Sequence, residues 1–215
     1  MITRFLIFVN VLAYLWEVSV AGSAAFNGGD AMELVLQRGA LWPDAVLVNH
    51  QWWRIITAAF LHGSLLHIFV NMISLWSLGR FIEYIAGSSR MAIIYFISMI
   101  ASGLGVVFWS AHDVPTLGAS GAIFGLFGAL FAIGTKLGRP GMQLVRDNIG
   151  ILILNLFITF TVPAISWQAH VSGLVTGFIV TLLIYYPPRR VAPAVMDATT
   201  GDSYETEYQA PQQHP

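Results

Sequence analysis

Long apolar stretches alternate with short polar connections along this chain. Six of them approach the roughly 20 residues that a helix needs to cross the hydrocarbon core of a bilayer. They are Ile2–Ala21, Leu65–Ala86, Met91–Ser110, Gly118–Thr135, Asn148–Pro163 and Gln168–Tyr186. The pattern predicts an all-α membrane protein whose six transmembrane helices form one bundle, within a membrane domain of residues 1–186.

The first stretch has a second interpretation, a cleaved signal peptide. Arg4 precedes the apolar run, and the small residues of 21–25 could accept signal peptidase. However, the run is longer than a usual signal core, and bulky Trp16 and charged Glu17 stand just before the cleavage point. We therefore favour a retained span.

The longest connection, residues 22–63, differs from a simple polar loop. Ala31–Gly39 is predicted to be a short helix, and the rings of Trp42, Trp52 and Trp53 suit the headgroup level. These features favour a large, partly embedded outer loop between spans one and two. A solvent-exposed loop with buried anchor tryptophans is the alternative.

The other connections are short. Lys136–Asp147 is predicted to be a basic connection, and Ala164–Trp167 to join the last two spans. From residue 187 to 215, Pro, Thr, Gln and acidic residues replace the apolar pattern, which predicts a polar, disordered tail.

Composition agrees with a bilayer environment, since 56% of residues are hydrophobic and only 10% are charged. Without cysteine, disulfides and a thiol nucleophile are excluded. No phosphate-binding glycine loop or basic patch points to a nucleotide cofactor or a nucleic-acid partner.

Orientation follows from the basic residues of the connections, which accumulate on the cytoplasmic side. If both termini are cytoplasmic, eight Lys and Arg lie inside and two lie outside. The inner set is Arg4, Arg80, Arg90, Lys136, Arg139, Arg146, Arg189 and Arg190, and the outer set is Arg38 and Arg54. This imbalance predicts that both termini are cytoplasmic, so that the beginnings of spans two, four and six face the outer leaflet.

Ser120 stands at the beginning of span four, after Pro115 and Gly118 interrupt the preceding chain. The first N–H groups of a helix are unpaired and carry partial positive charge, which suits a developing oxyanion. A helix-capping role is the alternative for this serine.

His67 and Asn71 are four residues apart at the beginning of span two, so they share a helix face near the depth of Ser120. His62 lies just before the span. Interhelical hydrogen bonding is one alternative role for these residues. A metal site is less favoured, because the acidic residues near this depth, Glu17 and Asp113, are expected at loop edges.

His170 begins span six, and glycines recur along one stripe of spans four and six. Such stripes let two helix backbones approach closely, which would carry His170 to Ser120 as a general base beside a nucleophile. No Asp or Glu is spaced to orient His170, so a dyad rather than a triad is expected. The glycines are Gly121, Gly125 and Gly128 in span four, and Gly173 and Gly177 in span six.

Taken in order, these elements resemble the rhomboid intramembrane serine proteases over all six spans. The resemblance is carried by Trp53-Arg54, His62…His67…Asn71, Leu78-Gly79-Arg80…Glu83, Gly118-Ala119-Ser120-Gly121 and Ala169-His170…Gly173…Gly177. With no amino-terminal cytosolic domain or seventh span expected, the chain resembles the minimal six-span bacterial type.

The resemblance implies that Ser120 is the nucleophile and His170 the base. It implies an oxyanion and substrate-binding region of His67, Asn71, Gly118 and His62, without cofactor or metal, and structural roles for Arg54 and Glu83. The implied substrates are single-span membrane proteins, cut near the outer face, after a small residue, at a locally unwound stretch. Span five and the Ala164–Trp167 connection would form the substrate gate and cap, in the inner membrane of a bacterial cell.

The chain departs from the family pattern at Phe124, where many members carry tyrosine four residues after the nucleophile. The ring that packs against the histidine is retained, whereas its hydroxyl is lost.

Two rival functions are weighed against the protease. A non-catalytic rhomboid-like protein would bind membrane proteins without cutting them, but intact Ser120 and His170 disfavour it. A small-solute transporter would predict paired halves or discontinuous spans, which the sequence lacks.

Overall fold

The computed structural model describes residues 1–27, 30–111, 114–161 and 165–187, together with the backbone of four residues farther on. The chain divides into two compact units, Met1–Tyr185 and Tyr186–Pro215. The helices of the first unit are α1 (Ile2–Ala21), α2 (Ala24–Asn27), α3 (Met32–Gly39), α4 (Pro43–Leu47), α5 (Arg54–Thr57), α6 (Leu65–Ser74), α7 (Arg80–Ala86), α8 (Ser88–Trp109), α9 (Ser120–Leu137), α10 (Arg139–Thr161) and α11 (Trp167–Ile184).

Six helical segments of the described residues are long and apolar enough to cross a membrane. They are α1, the segment from α6 to α7, α8, α9, α10 and α11. A wide π-helical stretch, Leu75–Gly79, joins α6 to α7 without interrupting the span. The prediction of an all-α, six-span membrane protein is confirmed.

The fifth span begins nine residues before its predicted start, at Arg139 rather than Asn148. The predicted connection Lys136–Asp147 was wrong, because most of it is the first part of α10. Gly138 turns the chain in a single residue with a φ of 67°, a value that favours glycine. Val145 is buried on this first part of α10, so its charged neighbours concealed an amphipathic helix.

Helix α9 lies at the centre of the bundle. In its most apolar 18-residue window 72% of the residues are buried, against 17% in α10. Helix α11 packs most extensively on α9, and α8 and α10 contact it to a similar, smaller extent. The centre of the bundle is therefore the helix that begins with Ser120.

Glu83 anchors the beginning of α1 at the opposite end of the bundle from Ser120. Its carboxylate accepts hydrogen bonds from the backbone N–H of Ile2 at 2.7 Å and from the Thr3 hydroxyl at 2.7 Å. An acidic side chain is favourable at a helix amino terminus, where N–H groups lack partners. This role is structural.

Arg54 organises the long connection between the first two spans. Its guanidinium donates to the backbone carbonyls of Ala40 and Gln37, each at 2.7 Å. Burial lowers the pKa of Arg54. The predicted short helix Ala31–Gly39 is confirmed within one residue.

The tryptophans of this connection differ in exposure. Trp52 and Trp53 are 46% and 47% exposed, so the interpretation as buried anchors does not hold for them. Trp42 is partly buried and donates its indole N–H to the carbonyl of Leu36 at 3.4 Å.

Several predictions concern residues that are described only in part. In the second unit, the backbone of Val195–Met196 pairs antiparallel with Ser203–Tyr204. Apart from these four residues and Pro187, the predicted disordered tail lies outside the described residues. The predicted end of span five at Pro163, Ala164 of the predicted cap and Asp113 also lie outside them.

Candidate active site

Ser120 is the first residue of α9, and the chain approaches it through an unusual backbone conformation. Gly118 has a φ of 119°, which side-chain-bearing residues rarely adopt. Its N–H donates to the carbonyl of Ala58 at 2.8 Å. The start of α9 is thereby attached to the segment that precedes α6, and the first N–H groups of α9 are left without partners inside the helix.

His170 lies in the first turn of α11 and is nearly fully buried. Its Nε2 lies 2.7 Å from the Oγ of Ser120. The hydroxyl of Ser166 caps α11 by accepting from the N–H of Ala169 at 3.3 Å. The two residues expected to form a dyad are therefore within hydrogen-bonding distance, each at the beginning of its helix.

The glycine stripes explain why α9 and α11 approach so closely. A Cβ atom built at Gly173 would overlap the carbonyl oxygen of Gly121, and one at Gly177 would overlap that of Gly125. The prediction that the stripes face each other is confirmed. Backbone therefore contacts backbone directly along this interface, as small residues allow.

Phe124 lies one turn after Ser120 and stacks on the imidazole of His170. The ring centroids are 4.1 Å apart and the planes are inclined by 12°. The expected ring contact is thus present without the tyrosine hydroxyl. The Phe124 ring covers one face of the imidazole and thereby restricts its rotation.

Thr159 of α10 is a contact that sequence reasoning missed. Its Oγ1 lies 2.7 Å from Nδ1 of His170, and the residue is buried. The sequence search considered only carboxylates as partners for the histidine. A usable signal was present, because Thr159 follows the buried residues Val145 and Leu152 at a seven-residue repeat, and a polar residue on a buried helix face is unusual.

His67 and Asn71 line the same cavity as Ser120. A Cβ atom at Gly118 would lie 2.8 Å from the His67 ring, so this glycine makes room for the imidazole. The Asn71 amide donates one hydrogen bond to the carbonyl of His67 at 2.9 Å. Its second N–H is left for another acceptor.

His62 is completely buried and stands behind His67 rather than at the cavity surface. Its ring contacts that of His67 edge-on, with centroids 5.1 Å apart. Burial is the main cause that lowers the pKa of His62 to about 3, so its ring is neutral near pH 7. Support of His67 is therefore a role its position allows.

Glu17 corrects the expectation that it lies at a loop edge. It is fully buried in α1, and its carboxylate accepts the backbone N–H of His62 at 2.9 Å. The prediction was wrong because α1 places this residue against the chain that precedes α6. Among the described residues, no three His, Asp or Glu side chains form a group that could hold a metal ion.

The side chains of Ser120, His170 and His67 line a cavity of about 740 Å³. Helix α10 contributes Asn155 and Ile158 to its wall. The cavity therefore lies between α6, α9, α11 and the least buried span. Its wall includes Ser120, His170, His67, Asn71, Gly118 and Phe124.

Residues 49–187 match the family profile described as Rhomboid domain. The chain belongs to the rhomboid family. This membership confirms the resemblance that the motifs indicated.

Similar proteins include some that are named as rhomboid proteases and one that is named as inactive. The chain is 32% identical over 162 residues to Rhomboid protease GluP of Bacillus subtilis, covering 75% of this chain and 32% of that protein. It is 32% identical over 150 residues to Putative rhomboid protease YdcA of the same organism, covering 66% of this chain and 75% of YdcA. Inactive RHOMBOID-like protein 8 of Arabidopsis thaliana is 32% identical over 169 residues, covering 75% of this chain and 46% of that protein.

The chain thus spans about a third of the length of GluP and three quarters of that of YdcA.

Proposed function

We propose that this protein is an intramembrane serine endopeptidase that uses a Ser120–His170 dyad. The observation that carries the proposal is the 2.7 Å separation of Ser120 Oγ and His170 Nε2. A serine hydroxyl becomes an effective nucleophile when an adjacent base accepts its proton. The similarity to rhomboid proteases supports the same reaction class.

In the first step, His170 Nε2 accepts the hydroxyl proton of Ser120 while Oγ attacks the scissile carbonyl carbon. The tetrahedral intermediate collapses when the imidazolium gives that proton to the leaving amine. Water then attacks the acyl-enzyme, with His170 again accepting a proton, and Ser120 is regenerated. Each half of the reaction returns the imidazole to its neutral form.

The oxyanion is proposed to bind to the Ser120 backbone N–H, the His67 ring and the free N–H of Asn71. The three groups belong to the first residue of α9 and to the first two turns of α6, and both side chains line the cavity. Preorganised donors of this kind stabilise the charge that develops in the transition state. Gly118 leaves room for the His67 ring, and His62 supports that ring from behind.

The proposed substrates are single-span membrane proteins, cut near the outer membrane face. The cavity lies at the beginnings of α6, α9 and α11, and the basic residues of the connections favour cytoplasmic termini. These ends would then face outward, in the bacterial inner membrane. A peptide bond must leave its helix to reach Ser120, which favours locally unwound segments and small residues.

A non-catalytic, client-binding rhomboid protein is the second candidate. The similarity to a family member that is named as inactive supports this candidate. The close contact between Ser120 and His170 favours catalysis instead, since binding alone does not require it.

The decisive experiment reconstitutes the purified protein with a tagged single-span substrate and maps cut sites by mass spectrometry. Ser120→Ala and His170→Ala should abolish cleavage, and a fluorophosphonate should label only protein that retains Ser120. Ser98→Ala is the matched control, because Ser98 is a buried serine of α8 outside the cavity wall. Normal cleavage by Ser120→Ala would overturn the proposal, whereas binding without cleavage or labelling in the parent protein would favour the client-binding candidate.

A further inference from the structure

The hydroxyl of Thr159 makes two short contacts. It donates to the backbone carbonyl of Asn155 at 2.7 Å, one turn earlier in α10. The same oxygen lies 2.7 Å from Nδ1 of His170. Thr159 is 3% exposed, so water does not readily replace either partner.

A hydroxyl has one proton to donate, and further partners must give protons to its oxygen. Both contacts can be hydrogen bonds at the same time only if the Thr159 proton goes to the Asn155 carbonyl, which cannot donate, and Nδ1 of His170 carries a hydrogen. A neutral imidazole has only one N–H. Nε2 is then unprotonated and directs its lone pair at the Oγ of Ser120.

The opposite tautomer would place the hydrogen on Nε2. That nitrogen would donate to Ser120 Oγ and could not accept the serine proton. The Thr159 contact therefore selects the tautomer that a general base needs, a task that a carboxylate performs in serine-protease triads.

Thr159 is also the one buried residue in the last seven residues of α10. Its neighbours Phe157, Ile158 and Phe160 are exposed apolar residues. A threonine in a membrane helix commonly bonds only to a carbonyl one turn earlier. Thr161 does this with Phe157 at 2.7 Å, which makes it an internal comparison.

We propose that Thr159 is a positioning residue that holds His170 in its Nδ1–H tautomer. The inference rests on the proposed dyad. It assigns to the fifth span a part in preparing the base.

The test compares Thr159→Val, Thr159→Ser and the control Thr161→Val in the full chain. Valine keeps the branched shape and removes the hydroxyl, whereas serine keeps the hydroxyl. Each variant is assayed for kcat, KM and the rate of fluorophosphonate labelling at Ser120. Imidazole ¹⁵N shifts of His170 distinguish the two tautomers, and thermal unfolding shows whether each variant is folded.

We expect Thr159→Val to lower kcat and the labelling rate together by about 10- to 100-fold, with little change in KM, since a misplaced catalytic group costs up to this order. Its His170 shifts should move towards a mixture of tautomers. Thr159→Ser should restore most of the rate, and Thr161→Val should resemble the parent. If Thr159→Val fails to fold, the ¹⁵N shifts and kcat of Thr159→Ser decide, since that variant should retain the Nδ1–H form and most of the rate.

Unchanged kcat and ¹⁵N shifts in Thr159→Val would overturn the inference. An equal loss in Thr161→Val would also overturn it, because the carbonyl contact alone would then explain the effect. An inactive Ser120→Ala beside a fully active Thr159→Val would refute only the role of Thr159. Normal cleavage by Ser120→Ala would refute the dyad itself.

Discussion

The interface of α9 with α11 and the packing of α10 represent two ways of holding a helix in this bundle. At the first, glycines bring backbone against backbone, and a Cβ atom at Gly173 or Gly177 would overlap a carbonyl oxygen. Helix α10 is only 17% buried over its most apolar window. The distance between the proposed nucleophile and base is thus set by the closely packed pair.

Helix α10, the least buried span, still reaches the same histidine. Thr159 contacts one nitrogen of His170, and Ser120 of the closely packed helix contacts the other. Backbone packing thus fixes the distance between Ser120 and His170, whereas the hydroxyl of Thr159 in α10 is proposed to fix which nitrogen of His170 carries the proton. A cavity wall with few buried residues also suits the entry of the proposed transmembrane substrate.

The largest expected effect compares one glycine from each region. Gly173→Leu should abolish most activity, because moving His170 by about 1 Å can cost on the order of 100-fold. Overpacking should also lower the free energy of unfolding by about 1–3 kcal/mol or more. Gly150→Leu in α10 should be tolerated, since a Cβ atom there meets nothing within 4 Å. The measurements are cleavage rates and thermal unfolding of both variants. A fully active Gly173→Leu would show that the α9–α11 interface tolerates a large side chain as well as α10 does.

Substitutions in α6 test whether the arrangement of Ser120 and His170 on α9 and α11 is sufficient for cleavage without side chains from α6. His67→Ala should lower kcat by roughly 100- to 1000-fold, as loss of one oxyanion donor does in other hydrolases. Asn71→Ala should cost less, because the His67 ring and the Ser120 N–H remain. Single-turnover cleavage separates these losses from weaker substrate binding. Unchanged turnover in both variants would remove these residues from the proposed oxyanion pocket.

Substitutions of Phe124 test whether ring stacking, in addition to the glycine contact between α9 and α11, holds the orientation of the His170 imidazole. Phe124→Ala should lower kcat by up to about 100-fold through loss of base orientation, and stability by about 0.5–1.5 kcal/mol beyond the loss of buried area. Phe124→Tyr should be nearly neutral if only the ring matters. Steady-state cleavage and thermal unfolding measure the two effects. Normal turnover in Phe124→Ala would mean that Thr159 and the helix packing suffice to orient the imidazole.

The substitutions expected to affect activity least concern stability alone. Leu130 of α9 and Leu152 of α10 are both buried, so truncation removes the same atoms from each region. Leu130→Ala should lower the free energy of unfolding by about 4 kcal/mol and Leu152→Ala by about 2 kcal/mol, because a helix with few buried residues can shift to close the cavity. Reversible unfolding in detergent provides the measurement. Equal losses would show that α10 is held as firmly as α9.

The sequence predicted some elements well because their signals are local. Runs of apolar residues indicate spans, and Ser120 and His170 stand at span beginnings that can be read directly. The glycine stripes were also evident from spacing, and their predicted contact is confirmed. The start of α10 was missed because Arg146 and Asp147 interrupt the apolar run while the helix continues through them.

What the sequence by itself determined is the number of spans, the all-α class and the residue types available for chemistry, because length and hydropathy are properties of each segment alone. What only the tertiary structure decided is which polar groups meet: Thr159 with His170, and the buried carboxylate of Glu17 with the backbone of His62. Such pairs join residues on different helices. Their meeting depends on how each helix is rotated and how deeply it packs, and no single segment carries that information.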